Sequence, residues 1–353
     1  MTDLKRRLEA FVKLGKFLGE FCENPNKPPS DRYPSGRWIN QLGQKIRSAE
    51  ASNGWFTRAN MLFALRAWKE LLTEHHLAGW LSSYDLEKNT KKDIALIMAG
   101  NIPLVGFHDF LAVLLTGNSA LVKLSSNDTI LLPFLAGYLC EMDSSLKNAI
   151  RFTEGKLDAF DAVIATGSNN TARYFEYYFA QRPHLIRRNR NSVAVLTGKE
   201  SPDQLKALGE DIFRYYGLGC RSVSKLLVPM DYDFDAFFTA IYPYSAIIDH
   251  QKYANNYDYN KAIYLMSEFK ILDNGFLMLK ADESYGSPIA TLFYERYESL
   301  ENVALQLERD EEKIQCVVSK GFLSNEIPFG KTQRPSLTDY ADGVDTVDFL
   351  LKT

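Results

Sequence analysis

Cysteine, histidine and any excess of charge are scarce in this chain of 353 residues. The four cysteines, Cys22, Cys140, Cys220 and Cys316, stand far apart and form no C-x-x-C pair or His/Cys cluster, which argues against a disulfide frame or a zinc site, so no metal is expected. A net charge of -3 supplies no field to hold a phosphate backbone, and nucleic acid is not an expected partner. No apolar run approaches the length that crosses a bilayer, and the N-terminus opens on Lys5, Arg6 and Arg7 rather than on a signal core. A cytoplasmic protein with reduced thiols and no membrane span is the expectation. There is also no G-x-G-x-x-G, so a dinucleotide would have to bind by other means.

With 46% hydrophobic and 24% charged residues the composition is globular, and the length exceeds what one core usually supports. The 19 tyrosines and 22 phenylalanines fill cores or line a channel; Tyr242–Tyr264 is the only candidate lining. Helical periodicity covers Leu4–Phe21, Trp38–Ile46 and Thr57–Leu77, with a proline-rich break at Pro25–Pro34. From Asp93 short apolar strands alternate with helices: strands at Ile94–Met98, Ala120–Leu124, Asn148–Phe152, Asp161–Ala165 and Ser192–Leu196, helices at Pro103–Leu115, Thr129–Glu141 and Thr171–Gln181. That alternation predicts an α/β fold with a doubly wound parallel sheet. A second, smaller α/β region follows, with a helix at Ser201–Tyr216, a strand at Ser224–Pro229, a helical stretch over Asp233–Met266, strands near Gly275–Leu279, Ile289–Tyr294 and Ile314–Val318, and a helix at Leu300–Arg309. The expected division is a helical layer (1–90), a dinucleotide-binding domain (91–200), a catalytic domain (201–327) and a C-terminal tail (328–353).

Cys220 ends the turn Gly217-Leu218-Gly219-Cys220 between a helix and a strand. Glycine lets that backbone fold tightly, so the thiol is presented to a substrate while its own N–H faces the atom attacked. A buried cysteine acting as a small hydrophobe is the plain alternative. Three strand-to-helix turns carry further candidates, since ligands of such sheets sit at the carboxyl ends of the strands. Gly100-Asn101-Ile102-Pro103 offers a side-chain amide to an oxyanion, although an asparagine there also reads as a helix cap. Lys123, Ser125 and Ser126 end the second strand where an adenosine ribose or its 2′-phosphate would lie, and no acidic residue ends that strand, Asp128 coming after the turn, so NADP is preferred with NAD as the alternative. Thr166-Gly167-Ser168 precedes a helix whose free N–H groups suit a pyrophosphate. His108 and His184 lie beside these turns, and His108 is the candidate proton donor.

In their shared order these residues resemble the aldehyde dehydrogenase superfamily: Asn101-Ile102-Pro103, Gly117-Asn118 through Lys123 to Ser125, Thr166-Gly167-Ser168, Gly219-Cys220, Glu283-Ser284-Tyr285-Gly286 and Pro328-Phe329-Gly330. Gly100–His108 and Arg188–Val195 look closest to the acyl-CoA reductases of the LuxC type. The resemblance covers about residues 90 to 350. It implies that Cys220 takes an acyl group from an acyl-CoA or acyl-protein thioester, that NADPH reduces the acyl-cysteine to an aldehyde, and that Glu283 holds the nicotinamide ribose. A homo-oligomer, a dimer or higher, and an acyl-transferring partner enzyme belong to the same expectation. One feature of the residues agrees. Between Glu176 and Glu200 there is no carboxylate to activate water against a thioester, but Arg187, Arg188 and Arg190, of which Arg188 and Arg190 are candidates for the phosphates of coenzyme A. Arg221 or a helix N-terminus would lower the thiol's pKa. Reduction of an acyl phosphate, thiol acyl transfer without hydride, and a non-catalytic NADP-binding scaffold stand as alternatives.

Overall fold

The computed structural model describes residues 3–23 and 36–353, and the proline-rich break lies outside them. The chain divides into two compact units, one made of the residues up to Arg188 with Ser336–Thr353, the other of Asn189–Pro335.

The first unit begins with four helices, α1 (Asp3–Glu23), α2 (Gly36–Ser52), α3 (Arg58–Leu71) and α4 (Glu74–Leu81). Phe11, Leu14, Phe17, Leu18 and Phe21 recur on one stripe of α1 and are all buried, each worth about 2 kcal/mol of transfer free energy. Thr57 and Thr73 cap α3 and α4 by accepting from the backbone N–H groups of Asn60 and His76. Then come β1 (Asp93–Ile97), α5 (Phe107–Leu115), β2 (Ser119–Lys123), α6 (Leu131–Met142), β3 (Ile150–Phe152), β4 (Ala162–Thr166), α7 (Asn169–Phe179) and β5 (His184–Arg187). The sheet order is β3-β2-β1-β4-β5, parallel throughout, with Ile94 opposite both Ala120 and Ala162. Buried residues dominate β1, β2 and β4, which is why they read as unbroken apolar runs. The strand order reverses between β1 and β4, so a crevice opens at their carboxyl ends.

The second unit holds β6 (Asn191–Val195), α8 (Pro202–Phe213), β7 (Val223–Pro229), α9 (Phe234–Ile241), α10 (Gln251–Met266), β8 (Ile271–Asp273), β9 (Met278–Ala281), β10 (Thr291–Tyr297), α11 (Leu300–Arg309) and β11 (Ile314–Val318). Its sheet runs β11-β6-β7-β10-β9-β8, with only β8 and β9 antiparallel to each other.

The chain passes from one unit to the other at Arg188–Asn189 rather than at residue 200. Ser192–Leu196 does not close the first sheet: β6 pairs with β7 and β11, and the edge place is filled by β5. Nor is 328–353 one tail. Residues 336–353 return to the first unit, where α12 (Thr346–Lys352) buries Val347 and Leu350, and Tyr340 links Trp80 Nε1 (2.7 Å) to the Tyr84 hydroxyl (2.6 Å). Among the described residues no helix is long and apolar enough to cross a membrane.

Candidate active site

In the first unit the turns after β1, β2 and β4 meet at one edge of the sheet. Gly100 and Ser125 approach so closely that a Cβ on Gly100 would lie 2.7 Å from the Ser125 side chain. Asn101 is exposed beside them. Pro103 does not open a helix. Leu104 is left-handed (φ 59°), its N–H donates to Asp128 Oδ2 at 3.2 Å, and α5 starts only at Phe107. Asp128 is therefore spent on this bend rather than left to swing toward a ribose. Burial pushes its carboxyl up to about 6, against the pull of the Leu104 and Leu131 amides. Lys123 Nζ donates to the Gly155 carbonyl at 3.0 Å, and Ser125 Oγ accepts from Asn127 N–H. Ser168 caps α7 by accepting from Thr171 N–H, which leaves the Thr166–Ser168 turn at the crevice edge. With glycine at the close approach, hydroxyls and a lysine at the β2 end, and a helix N-terminus at the β4 end, this edge fits a dinucleotide.

His108 and Arg187 have other work. The His108 ring lies between Trp80 and Tyr340 (centroids 5.4 and 5.5 Å away), Nε2 is 2.9 Å from the Leu337 carbonyl, and burial holds its pKa below the usual imidazole value. That is the packing of α5 against the returning C-terminal segment, and the expectation of a proton donor gives way to it. His184 Nδ1 sits 2.9 Å from the Arg182 carbonyl at the start of β5. Arg187 is buried, its guanidinium on Asp109 (2.7 Å) and Thr346 (2.9 Å). Arg188 pairs with Glu176 at 2.5 Å on the surface.

In the second unit α8 ends at Phe213, and Tyr215, Tyr216 and Gly217 follow with φ of 55°, 59° and 75°. Left-handed backbone costs a residue with a Cβ roughly 1 kcal/mol, and such outliers gather at functional sites. Here they swing the chain from α8 to Cys220. Tyr215 is buried, and the Tyr216 ring packs at a tilt against His250 with centroids 4.3 Å apart. Cys220 lines a cavity of about 250 Å³ with Asn191, Arg190, Tyr253 and the Ser287–Thr291 segment. The Cys220 carbonyl accepts from the buried Ser192 Oγ at 2.9 Å, and the same hydroxyl lies 2.9 Å from Cys316 Sγ. Arg221 Nε donates to the Thr332 carbonyl at 2.6 Å, so the neighbouring guanidinium is fixed by the 330–332 loop. Arg190 reaches the Glu311 and Ile314 carbonyls while lining the cavity.

The Glu283–Gly286 turn comes to the edge of this cavity. A Cβ on Gly286 would lie 3.1 Å from Asn191 Oδ1, and Ser287 and Pro288 are in the wall. Lys225, fully buried on β7, holds the turn: Nζ donates to the Glu283 carbonyl (2.7 Å) and to Glu295 Oε2 (2.5 Å), 4.8 Å from the Tyr285 ring centroid. Sequence reasoning passed over Lys225, although a lysine in the apolar run Val223–Pro229 is itself a signal of a buried partner. Cys22 and Cys140 sit in α1 and α6, where burial pushes both thiols up. Among the described residues no disulfide joins the four cysteines.

A family model for acyl-CoA reductase (LuxC) matches residues 39–236, more than half of the chain. The chain belongs to the LuxC acyl-CoA reductase family. No curated protein sequence matches it. Among solved structures it is similar to the NAD+ complex of an aldehyde dehydrogenase from Bacillus cereus (13% identity, 87% of this chain and 69% of that one, TM-score 0.58). HpcC from Thermus thermophilus is likewise similar (12% identity, 90% and 69% covered, TM-score 0.59), as is an indole-3-acetaldehyde dehydrogenase with NAD+ (12%, 88% and 70%, TM-score 0.58). This LuxC-family chain has the aldehyde dehydrogenase fold, and the family is one of oxidoreductases acting on acyl groups and aldehydes. The family match spans Asn101, the 123–126 and 166–168 turns and Cys220, and ends before Glu283.

Proposed function

We propose that this protein reduces a fatty acyl thioester to an aldehyde with NADPH, through an acyl group held on Cys220. The observation that carries the reading is the chemistry of the cavity: among the described residues that line it with Cys220 there is no aspartate, glutamate or histidine. With no base to activate water, an acyl-cysteine persists long enough to be reduced.

The Cys220 thiolate attacks the thioester carbonyl carbon, the carbon–sulfur bond to coenzyme A breaks, and coenzyme A leaves as its thiolate. The Cys220 N–H is assigned to the oxyanion of that step, and the Asn101 amide keeps the oxyanion role that the resemblance implies for it. A reduced nicotinamide, when bound, supplies the hydride that the acyl carbon needs. Cys220 then departs as thiolate from the reduced adduct, whose oxyanion becomes the aldehyde oxygen, so this step requires no acid and leaves His108 to its packing. Lys123, Ser125, Ser126 and the Thr166–Ser168 turn are the residues of the first unit that would hold the cofactor, and Glu283 keeps the ribose role that the resemblance implies. With Asp128 engaged at Leu104, the Lys123–Ser126 segment that ends β2 brings no carboxylate of its own against a 2′-phosphate, which supports NADPH over NADH. Arg190, at the cavity, stays assigned to the phosphates of coenzyme A; Arg188, paired with Glu176, does not.

Intact-mass spectrometry after exposure to acyl-CoA tests this reading. The wild type should gain the acyl mass and Cys220→Ala should not, while NADPH absorbance falls only with the wild type. An adduct without NADPH consumption would point to thiol acyl transfer, and labelling of Cys140 or Cys316 would overturn the nucleophile.

A further inference from the structure

The Ser287–Thr291 segment lines the cavity together with Cys220, and the Glu283–Gly286 turn leads straight into it. Two buried polar side chains pin this 283–291 loop, one at each end, and neither lines the cavity itself. At the leading end stands Lys225. At the far end the Asn260 side-chain amide, on α10, donates to the Ile289 carbonyl at 2.9 Å, and the Met278 N–H donates to the Ala290 carbonyl at 3.0 Å. Ala290 is left-handed (φ 61°) although it carries a Cβ. Such backbone persists only where its surroundings over-determine it, and it gathers at functional sites.

Packing alone does not call for a charge at position 225. Lys225 is wholly buried and stands in register between Val193 of β6 and Phe293 of β10. An apolar side chain of similar volume at such a place is often neutral or better for stability than a buried ion pair. What the ammonium alone supplies is a link: anchored on Glu295 Oε2 at 2.5 Å, it holds the Glu283 carbonyl at 2.7 Å. Glu295 is fixed in turn by Gln306 Nε2 at 3.1 Å.

We propose that Lys225 is a positioning residue for acyl transfer to Cys220. From the strand that follows the nucleophile it fixes the 283–291 loop as a wall of the cavity, and that wall holds the thioester carbonyl for attack. The proposal rests on the acyl-Cys220 reading above and adds a residue that acts through the loop without touching the substrate. In the step itself the bond from Cys220 Sγ to the acyl carbon forms, the bond to the coenzyme A sulfur breaks, and Lys225 neither gives nor takes a proton.

The experiment follows acylation of the full chain by intact mass over a range of acyl-CoA concentrations, using whichever of hexanoyl-, decanoyl- and tetradecanoyl-CoA labels wild type fastest. Lys225→Met should lower the saturating acylation rate about tenfold to a hundredfold, the cost of a misplaced reacting group. The half-saturating concentration should change by less than about threefold. Alkylation of Cys220 by iodoacetamide, which needs no wall, should keep its wild-type rate, and the urea midpoint should not fall. Lys225→Arg, which keeps the charge and the donors, should recover part of the loss. Asn260→Ala frees the other end of the loop and should show the same split more weakly; it decides the matter if Lys225→Met does not fold, an unchanged acylation rate then counting against the proposal. Acylation by Lys225→Met at the wild-type rate overturns it, as does a loss that only matches the loss of iodoacetamide labelling. No adduct on wild-type Cys220 with any of the three acyl-CoAs is a different result, and it sinks the reductase reading itself.

Discussion

Each unit keeps one buried aspartate as a clamp on a turn beside the proposed chemistry, and the two clamps are built differently. Asp128 takes the Leu104 N–H on Oδ2 at 3.2 Å and so fixes the left-handed bend three residues after Asn101. Asp211 uses both oxygens: Oδ2 accepts from Gly330 N–H at 2.6 Å, and Oδ1 accepts from the Thr332 N–H and hydroxyl, both at 2.9 Å. The loop it holds is the one whose Thr332 carbonyl fixes Arg221, the neighbour of Cys220. Asp128 is drawn on by the Leu104 and Leu131 amides alone, whereas Asp211 takes two amides and a hydroxyl, so the bend after Asn101 is the more lightly clamped of the two. The lesson is that the turn bearing the proposed oxyanion donor rests on fewer donors to its carboxylate than the loop beside the nucleophile does.

The largest expected effect tests whether the more lightly clamped turn carries chemistry at all. Asn101→Ala should slow acylation of Cys220 by about 10²–10³ with a smaller change in KM, the loss typical of one oxyanion donor. Single-turnover quench with mass detection measures it, and a loss under about tenfold would leave the first unit's turn without a part in the reaction. The next effect separates the clamps. Asp211→Asn should lower stability by about 2 kcal/mol, because an amide turns one acceptor into a donor facing an N–H, while Asp128→Asn should cost about 1 kcal/mol or less, because its oxygen can stay on Leu104. Urea unfolding at pH 7.5 decides between them, and equal losses would erase the distinction drawn from the bond counts.

Much of this was legible in the chain. β1, β2 and β4 announce themselves because burial makes them continuous apolar runs, and Gly-Leu-Gly-Cys marks Cys220 by its own composition. β5 was missed, since four residues from His184 to Arg187 carry polar ends, and what buries Arg187 is Asp109, 78 residues away. The strand β6 is legible as a strand but its sheet is not, because the partners β7 and β11 are a tertiary choice that leaves no local trace. The bend at Leu104 escaped for the same reason: Pro103 suggests a helix start, and only Asp128 makes the left-handed residue tenable. Tyr253 belonged to the stretch named as a candidate lining, yet nothing in its spacing distinguishes it from Tyr259, which is largely exposed.

The smallest expected effect follows from the charge both clamps carry. Burial pushes Asp128 and Asp211 up to about 6, above the ordinary 3.8. A carboxyl whose folded pKa is raised adds stability that is whole below 3.8 and is lost as pH rises through about 6. Two pKa units correspond to roughly 2–3 kcal/mol per group over the full window, and pH 5 to 7.5 covers part of it. His108 acts in the opposite direction, since a depressed imidazole pKa makes stability fall as pH drops below about 6.5. Glu326 does not interfere, because its carboxyl, lowered to about 2 by the Ser319 hydroxyl and the amides of the 321–323 turn against the cost of burial, contributes fully above pH 5. The wild-type slope alone is therefore a mixture, and the difference between wild type and variant isolates each clamp. From pH 5 to 7.5 the stability advantage of wild type over Asp128→Asn should shrink by about 1 kcal/mol, and likewise for Asp211→Asn. A difference that stays flat across that range would mean the aspartate is already ionised at pH 5, held by its amides more strongly than burial opposes it.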